Sequence, residues 1–194
     1  MRIAIVVNAF PLTSQTFVIA HAAGLAARGH EVVIVPERPE TRSDTHQDGV
    51  VLESHVIRSP AVPSRRIHKI IEIPAQRAMW QGRAALRVAQ ESELFGIAPT
   101  WRPTMRRLYW ARRLMAAGHV DLVHSHFGPC AVFAATARRH GLTPVPVIAT
   151  VHGADVTALP RQYGRDVYRP TFQGLDAITV GSRYIASVVH DLGG

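Results

Sequence analysis

Three short polar segments carry the residue types of this 194-residue chain that could do chemistry. They are residues 8–16, 124–128 and 150–155, and each adjoins an aliphatic run that is typical of a buried strand. Because the carboxyl ends of parallel strands lie at one edge of a sheet, we expect the three segments to converge on one binding site. For each segment taken alone, the interpretation that it is an ordinary polar loop stays open.

The histidines of these segments have spacings that fit more than one kind of site. His124 and His126 are two residues apart, so an extended chain directs both side chains to one face. Together with His152 or Asp155 they could bind zinc. We favour the interpretation that one histidine packs beneath a cleft while the other lines it, and we predict no metal. Asp155 could equally cap the turn that follows it.

Two common enzyme classes lack their motifs in this sequence. No G-x-S-x-G segment is present, which disfavours a serine hydrolase of the α/β type. The loop after the first predicted strand contains no G-x-G-x-x-G, so we predict neither NAD nor FAD as a cofactor.

The elements that must position these residues alternate between strand and helix. We predict strands at residues 2–7, 31–35, 50–57, 120–124, 145–151 and 177–180, and helices at 17–28, 65–73, 77–95, 103–117, 129–139, 161–172 and 182–192. This alternation predicts an α/β fold with a doubly wound, mostly parallel, Rossmann-like sheet. In the strand order 3-2-1-4-5-6 the binding crevice lies between the first and fourth strands.

Length and composition indicate one domain with a substantial core. Hydrophobic residues make up 47% of the chain, and Cys130 is its one cysteine, so no intrachain disulfide can form. The first apolar run is too short for a secretory signal, and no apolar window approaches the length of a membrane span. We therefore expect a cytoplasmic location.

The formal net charge of +8 is concentrated in one region. Residues 58–113 contain twelve Arg or Lys and three acids, giving +9 there and −1 elsewhere. We predict a basic helical insertion at about residues 60–118, with one helix face formed by Arg102, Arg106, Tyr109 and Arg113. That face could rest on an anionic membrane or simply be solvated. Nucleic-acid binding is a disfavoured alternative, because no recognised nucleic-acid motif is present.

Four segments resemble one known family. Residues 10–18, F-P-L-T-S-Q-T-F-V, resemble the F-P-x-x-S-E-T-F-I opening of bacterial polysaccharide glycosyltransferases of the family 4 type, with Gln15 in place of the usual Glu. Residues 124–128 resemble the family's H-x-H-F-G motif, and residues 150–155 resemble its T-x-H-G-x-D motif. Residues 181–185 resemble the segment that closes the family's N-terminal domain. All four occur in the family's order.

The resemblance implies the N-terminal half of a GT-B fold in a retaining glycosyltransferase. Such an enzyme would move a sugar from a UDP- or GDP-sugar to a lipid-linked or saccharide acceptor in cell-surface polysaccharide synthesis, without a metal or other cofactor. The carried-over catalytic residue is His152, whose neutral imidazole could donate a hydrogen bond to a sugar hydroxyl or leaving oxygen. The implied substrate-binding residues are Ser14, Gln15, Thr16, His124, His126, Phe127, Gly128, Gly153 and Asp155.

Ser14, Gln15 and Thr16 would lie near the donor diphosphate, since a helix N-terminus favours an anion. The family's donor-binding domain has no counterpart in the 194 residues, so we expect the chain to be a fragment or to need a partner, and to be inactive alone. A non-catalytic module that binds a saccharide or a nucleotide-sugar stays open as an alternative. A lipid-linked acceptor would bring the protein to the inner face of the plasma membrane.

Overall fold

A five-stranded, all-parallel sheet forms the centre of the computed structural model, which describes residues 1–39, 52, 55–59, 80–92 and 101–194. The strands are β1 (Arg2–Phe10), β2 (Glu31–Pro39), β3 (Leu122–His126), β4 (Val147–Val151) and β5 (Ala177–Val180), in the spatial order β2-β1-β3-β4-β5. The predicted α/β class with a Rossmann-like parallel sheet is therefore confirmed.

Helices connect and cover these strands. They are α1 (Thr16–Ala27), α2 (Trp80–Glu91), α3 (Trp101–Ala116), α4 (Gly128–Arg139), α5 (Gly153–Tyr163), α6 (Arg169–Phe172) and α7 (Arg183–Asp191), with 3-10 turns at Thr13–Gln15 and Arg165–Tyr168. Ser182 caps the last helix, because its hydroxyl oxygen accepts the Ile185 amide at 3.2 Å. The predicted helix at 65–73 lies outside the described residues. Among the described helices, none is long and apolar enough to cross a membrane.

The predicted third strand at 50–57 is wrong for the residues that the structure describes there. Val56 forms an isolated parallel bridge with Ile34 of β2, whereas Leu52 and His55 are helical. The apolar side chains of Leu52 and Val56 instead pack into the core, on the face of the sheet that α1 covers.

Strand ends differ from the predictions because pairing continues past the aliphatic runs. Ala9 pairs with Arg38 and Phe10 with Pro39, so β1 and β2 each extend into segments predicted as loops. β3 begins later than predicted and ends at His126, so both His124 and His126 lie inside the strand, whereas the predicted strand ended at His124. Both side chains consequently have fixed orientations on one face of the sheet.

The segment after β4 also departs from the prediction of a single helix at 161–172. A helix, α5, already begins at Gly153, and the chain then breaks at Gly164, whose φ is 103°. Few residues other than glycine adopt this φ, so the helix ends there and is followed by a 3-10 turn and the short helix α6.

The basic face predicted for α3 is wrong as a surface for a membrane. Tyr109 and Arg113 are each only 1% exposed. The guanidinium of Arg113 donates to the carbonyl oxygens of Pro36 at 3.1 Å and Glu37 at 2.7 Å. Arg106 is exposed, and the side chain of Arg102 lies outside the described part of the chain. This part of the basic segment therefore packs against the sheet instead of facing a partner.

Candidate functional site

The three polar segments meet at the carboxyl edge of the sheet, around the ring of Phe17. Its centroid lies 4.5 Å from that of His152, 5.8 Å from that of Phe127 and 6.2 Å from that of His126. These residues come from α1, from β3 and the turn after it, and from the turn after β4. The convergence expected from parallel strands is therefore present in the structure.

The imidazole rings of four histidines contact one another in this cluster and form a histidine row, which consists of His21, His124, His126 and His152. The Nδ1 atom of His21 lies 3.0 Å from Nε2 of His126, and Nδ1 of His126 lies 3.5 Å from Nε2 of His152. His124 stacks on His126 with centroids 4.9 Å apart, and its Nε2 atom lies 2.7 Å from the Thr150 hydroxyl oxygen. The row therefore runs from buried strand residues to the half-buried His152.

Sequence reasoning missed His21. This residue lies on α1, four positions after Phe17, and positions four apart share one helix face. Its face could thus have been assigned from the spacing, but only the packing of α1 against β3 brings it to His124 and His126.

Burial keeps these imidazoles neutral. It lowers the pKa of His126 to about 3 and that of His124 to about 4, and the neighbouring histidines lower both further in the same direction. Burial also lowers the pKa of His21 and of His152, although the Asp155 carboxylate partly opposes the shift at His152. At neutral pH each ring therefore has one nitrogen that donates and one that accepts.

Asp155 ties two of the polar segments together. Its carboxylate accepts the Gly128 amide at 2.6 Å and the His152 amide at 2.9 Å, at the third position of α5. The side chain is buried, and this burial raises its pKa while the two amide hydrogen bonds oppose the shift. Asp155 thus holds the turn after β3 against the start of α5.

The turn at Phe127 has an unusual backbone. Its φ of 73° and ψ of 147° belong to a region that is costly for side chains other than glycine, by about 1–3 kcal/mol. The following residue, Gly128, has no room for a side chain, because an added Cβ would lie 2.5 Å from the Tyr168 hydroxyl oxygen. This turn places the Phe127 ring 4.7 Å from that of His152. Strain held in a tightly packed turn is typical of a functional site.

The residues predicted for the diphosphate lie at the start of α1. Ser14 and Thr16 are exposed, whereas Gln15 is buried and donates from Nε2 to Oδ1 of Asn8 at 3.1 Å. None of these side chains makes a cap hydrogen bond to the 3-10 turn or to α1. The structure brings these residues to the same sheet edge as His152, as does the exposed Gly153 at the first position of α5.

Comparison with known proteins gives one clear result. Residues 14–194, nearly the whole chain, match the family model described as Glycosyltransferase Family 4. None of the curated proteins compared with the chain matches it. The matched range includes every residue of the histidine row and the strained turn at Phe127.

Proposed function

Because the chain belongs to glycosyltransferase family 4, we propose that it is the acceptor-side, N-terminal half of a retaining GT-B glycosyltransferase. The observation that carries the proposal is the convergence of Phe17, Phe127 and His152 at the carboxyl edge of a parallel sheet. This edge is where ligands bind in doubly wound folds. The reaction moves a sugar from a UDP- or GDP-sugar to a saccharide or lipid-linked acceptor in cell-surface polysaccharide synthesis.

His152 is the residue we assign to the reacting centre. It is half-buried, so one side of the ring can face a bound sugar while the other is held by Phe17, Phe127 and His126. Burial lowers its pKa, and a neutral ring can donate a hydrogen bond to an oxygen that gains negative charge as the glycosidic bond breaks. In this proposal the step uses no metal or other cofactor.

The acceptor lies against Phe17 and Phe127 in this proposal. Phe17 is 40% exposed, and its ring stands beside the polar edge of His152. An apolar ring next to a few directed polar groups suits a sugar, which presents both C–H faces and hydroxyl edges. Substrate contacts by His124, His126, Gly128 and Asp155 would be less direct, because these four residues are buried beneath this surface. Gly153 is exposed at the first position of α5 and can contact a substrate directly.

The donor diphosphate lies at the start of α1, beside Ser14 and Thr16. No side chain caps this end of the helix, and the helix dipole favours an anion there. A donor-binding domain, in the same polypeptide or in a partner, would supply the remaining contacts to the nucleotide. The cytoplasm holds such donors, and a lipid-linked acceptor would bring the complex to the inner face of the plasma membrane.

Nuclear magnetic resonance of the isotope-labelled chain tests this placement of the ligands. Titration with glucose, galactose and N-acetylglucosamine is expected to shift resonances of Phe17, Phe127 and His152, and titration with UDP and GDP those of Ser14 and Thr16. Shifts confined to the separate cavity of about 330 Å³ that Leu114, Leu142 and Val145 help to line would contradict the proposal. So would saturable binding that leaves both groups of resonances unchanged.

A further inference from the structure

Three histidines form a compact set of nitrogen ligands within the row described above. One ring nitrogen from each of His21, His124 and His126 lies within 4.8 Å of the other two. The last two come from β3, and the first comes from α1, so the set joins two elements of the fold. The sequence pattern suggested His152 or Asp155 as further ligands, but both carboxylate oxygens of Asp155 accept backbone amides.

The spacing of the first pair is close to that of a metal site. Nδ1 of His21 and Nε2 of His126 are 3.0 Å apart. Two imidazoles bound to one tetrahedral zinc at about 2.0–2.1 Å have nitrogens about 3.3 Å apart. A shift of a few tenths of an ångström would therefore replace the shared proton with a cation between the two rings.

Two of the three remaining ring nitrogens lie beside polar groups that can orient a metal ligand. Nε2 of His124 lies 2.7 Å from the Thr150 hydroxyl oxygen, which leaves Nδ1 of that ring for a cation. Nδ1 of His126 lies 3.5 Å from Nε2 of His152. Histidines that bind metals usually donate their second N–H to such a neighbour, which fixes the tautomer of the ring.

We propose that His21, His124 and His126 form a site for one borderline divalent transition metal, with Zn²⁺ as the cation that best suits three imidazoles. The site goes beyond the proposed transfer reaction, which does not use it. The cation links α1 to β3. When it binds Nε2 of His126, the proton of that ring stays on Nδ1, the nitrogen that faces His152.

Metal titration of the chelator-treated 194-residue chain tests this site. Calorimetry with Zn²⁺ is expected to show one site per chain with a dissociation constant in the micromolar range or below, and the melting temperature rises with Zn²⁺. Co²⁺ is expected to give the intense visible bands of a four-coordinate site. Because loss of an outer partner of a metal ligand already weakens binding by about 10–100-fold, His21→Gln is expected to weaken Zn²⁺ binding by about 100-fold or more.

His190→Gln is the matched control, because it removes an exposed histidine of α7 far from the set along the chain. It is expected to leave Zn²⁺ affinity unchanged. His21→Gln also keeps both β3 histidines in place, and its circular dichroism reports whether it folds. The proposal is overturned if Zn²⁺ shows no saturable binding below millimolar concentration, or if folded His21→Gln and His190→Gln bind it equally well. Either result leaves the transferase proposal standing.

Discussion

His152→Ala is expected to lower kcat by about 10²–10³-fold when this chain acts together with the donor-binding domain that we propose for it. The loss has this size because a positioned donor to a developing oxyanion acts only in the transition state. The KM for the sugar nucleotide is expected to change much less, since we propose that its diphosphate binds at the start of α1. Steady-state kinetics with a labelled sugar nucleotide measures both quantities.

The pH dependence of the same reaction gives a second readout. Burial lowers the pKa of His152 from 6.5, so the imidazole stays neutral at pH values where an exposed histidine begins to gain a proton. The wild-type rate is therefore expected to fall only below pH 6.5. His190→Ala serves as the control for loss of a histidine. If the His152→Ala rate is within twofold of the wild-type rate, the assignment of His152 to the reacting centre is wrong.

Asp155→Ala is expected to lower the free energy of unfolding of the chain by about 3 kcal/mol. The variant leaves the amides of Gly128 and His152 without the carboxylate that accepts them at 2.6 and 2.9 Å. An unpaired amide in a buried turn costs about 1–3 kcal/mol. Asp155→Asn keeps one acceptor oxygen and is expected to lose about half as much. Urea denaturation followed by circular dichroism measures these differences.

The matched control for Asp155 is Asp166→Ala. The Asp166 side chain is 85% exposed, and it makes an ion pair with Arg169 across 3.6 Å at the surface. Its loss is expected to change stability by less than about 0.5 kcal/mol. Equal stability of the Asp155→Ala and Asp166→Ala chains would show that the carboxylate does not hold the two turns together.

The sheet could be predicted from the sequence because parallel strands buried on both faces have continuous aliphatic runs. Residues 2–7, 31–35 and 177–180 all lie within strands of the structure. The ends of β1 and β2 could not be predicted, because they depend on pairing between Phe10 and Pro39 across two strands. Local composition at those positions indicates a loop.

The predictions for α3 and for the segment from Gly153 onward were wrong because contacts between distant parts of the chain determine both structures. The α3 helix looks amphipathic in sequence, yet Arg113 is buried because the carbonyl groups at the end of β2 accept its guanidinium. The segment from Gly153 onward looks like a loop, because it begins with glycine and contains Pro160, yet the Asp155 carboxylate bonds its first turn to the turn after β3. Tertiary hydrogen bonds decided both outcomes.

The candidate site was predictable in its location but not in its full membership. The segments that follow the strands indicate where the site lies, because all strands of the sheet are parallel and their carboxyl ends share one edge. His21 belongs to a helix that otherwise looks like a plain apolar connection, so only its packing against β3 brings it to the site. The positive φ of Phe127 likewise has no local sign, since glycine would be the usual residue there.

A sugar-transfer assay tests the central claim most directly. It combines the chain with the donor-binding domain that we propose for it, and follows a labelled sugar from UDP- and GDP-sugars to saccharide and lipid-linked acceptors. We predict that one donor gives a glycosylated acceptor whose anomeric configuration matches that of the donor, and that His152→Ala abolishes nearly all of this product. A product formed at the wild-type rate by folded His152→Ala would contradict the account. So would the absence of transfer from every donor by a folded, donor-binding complex.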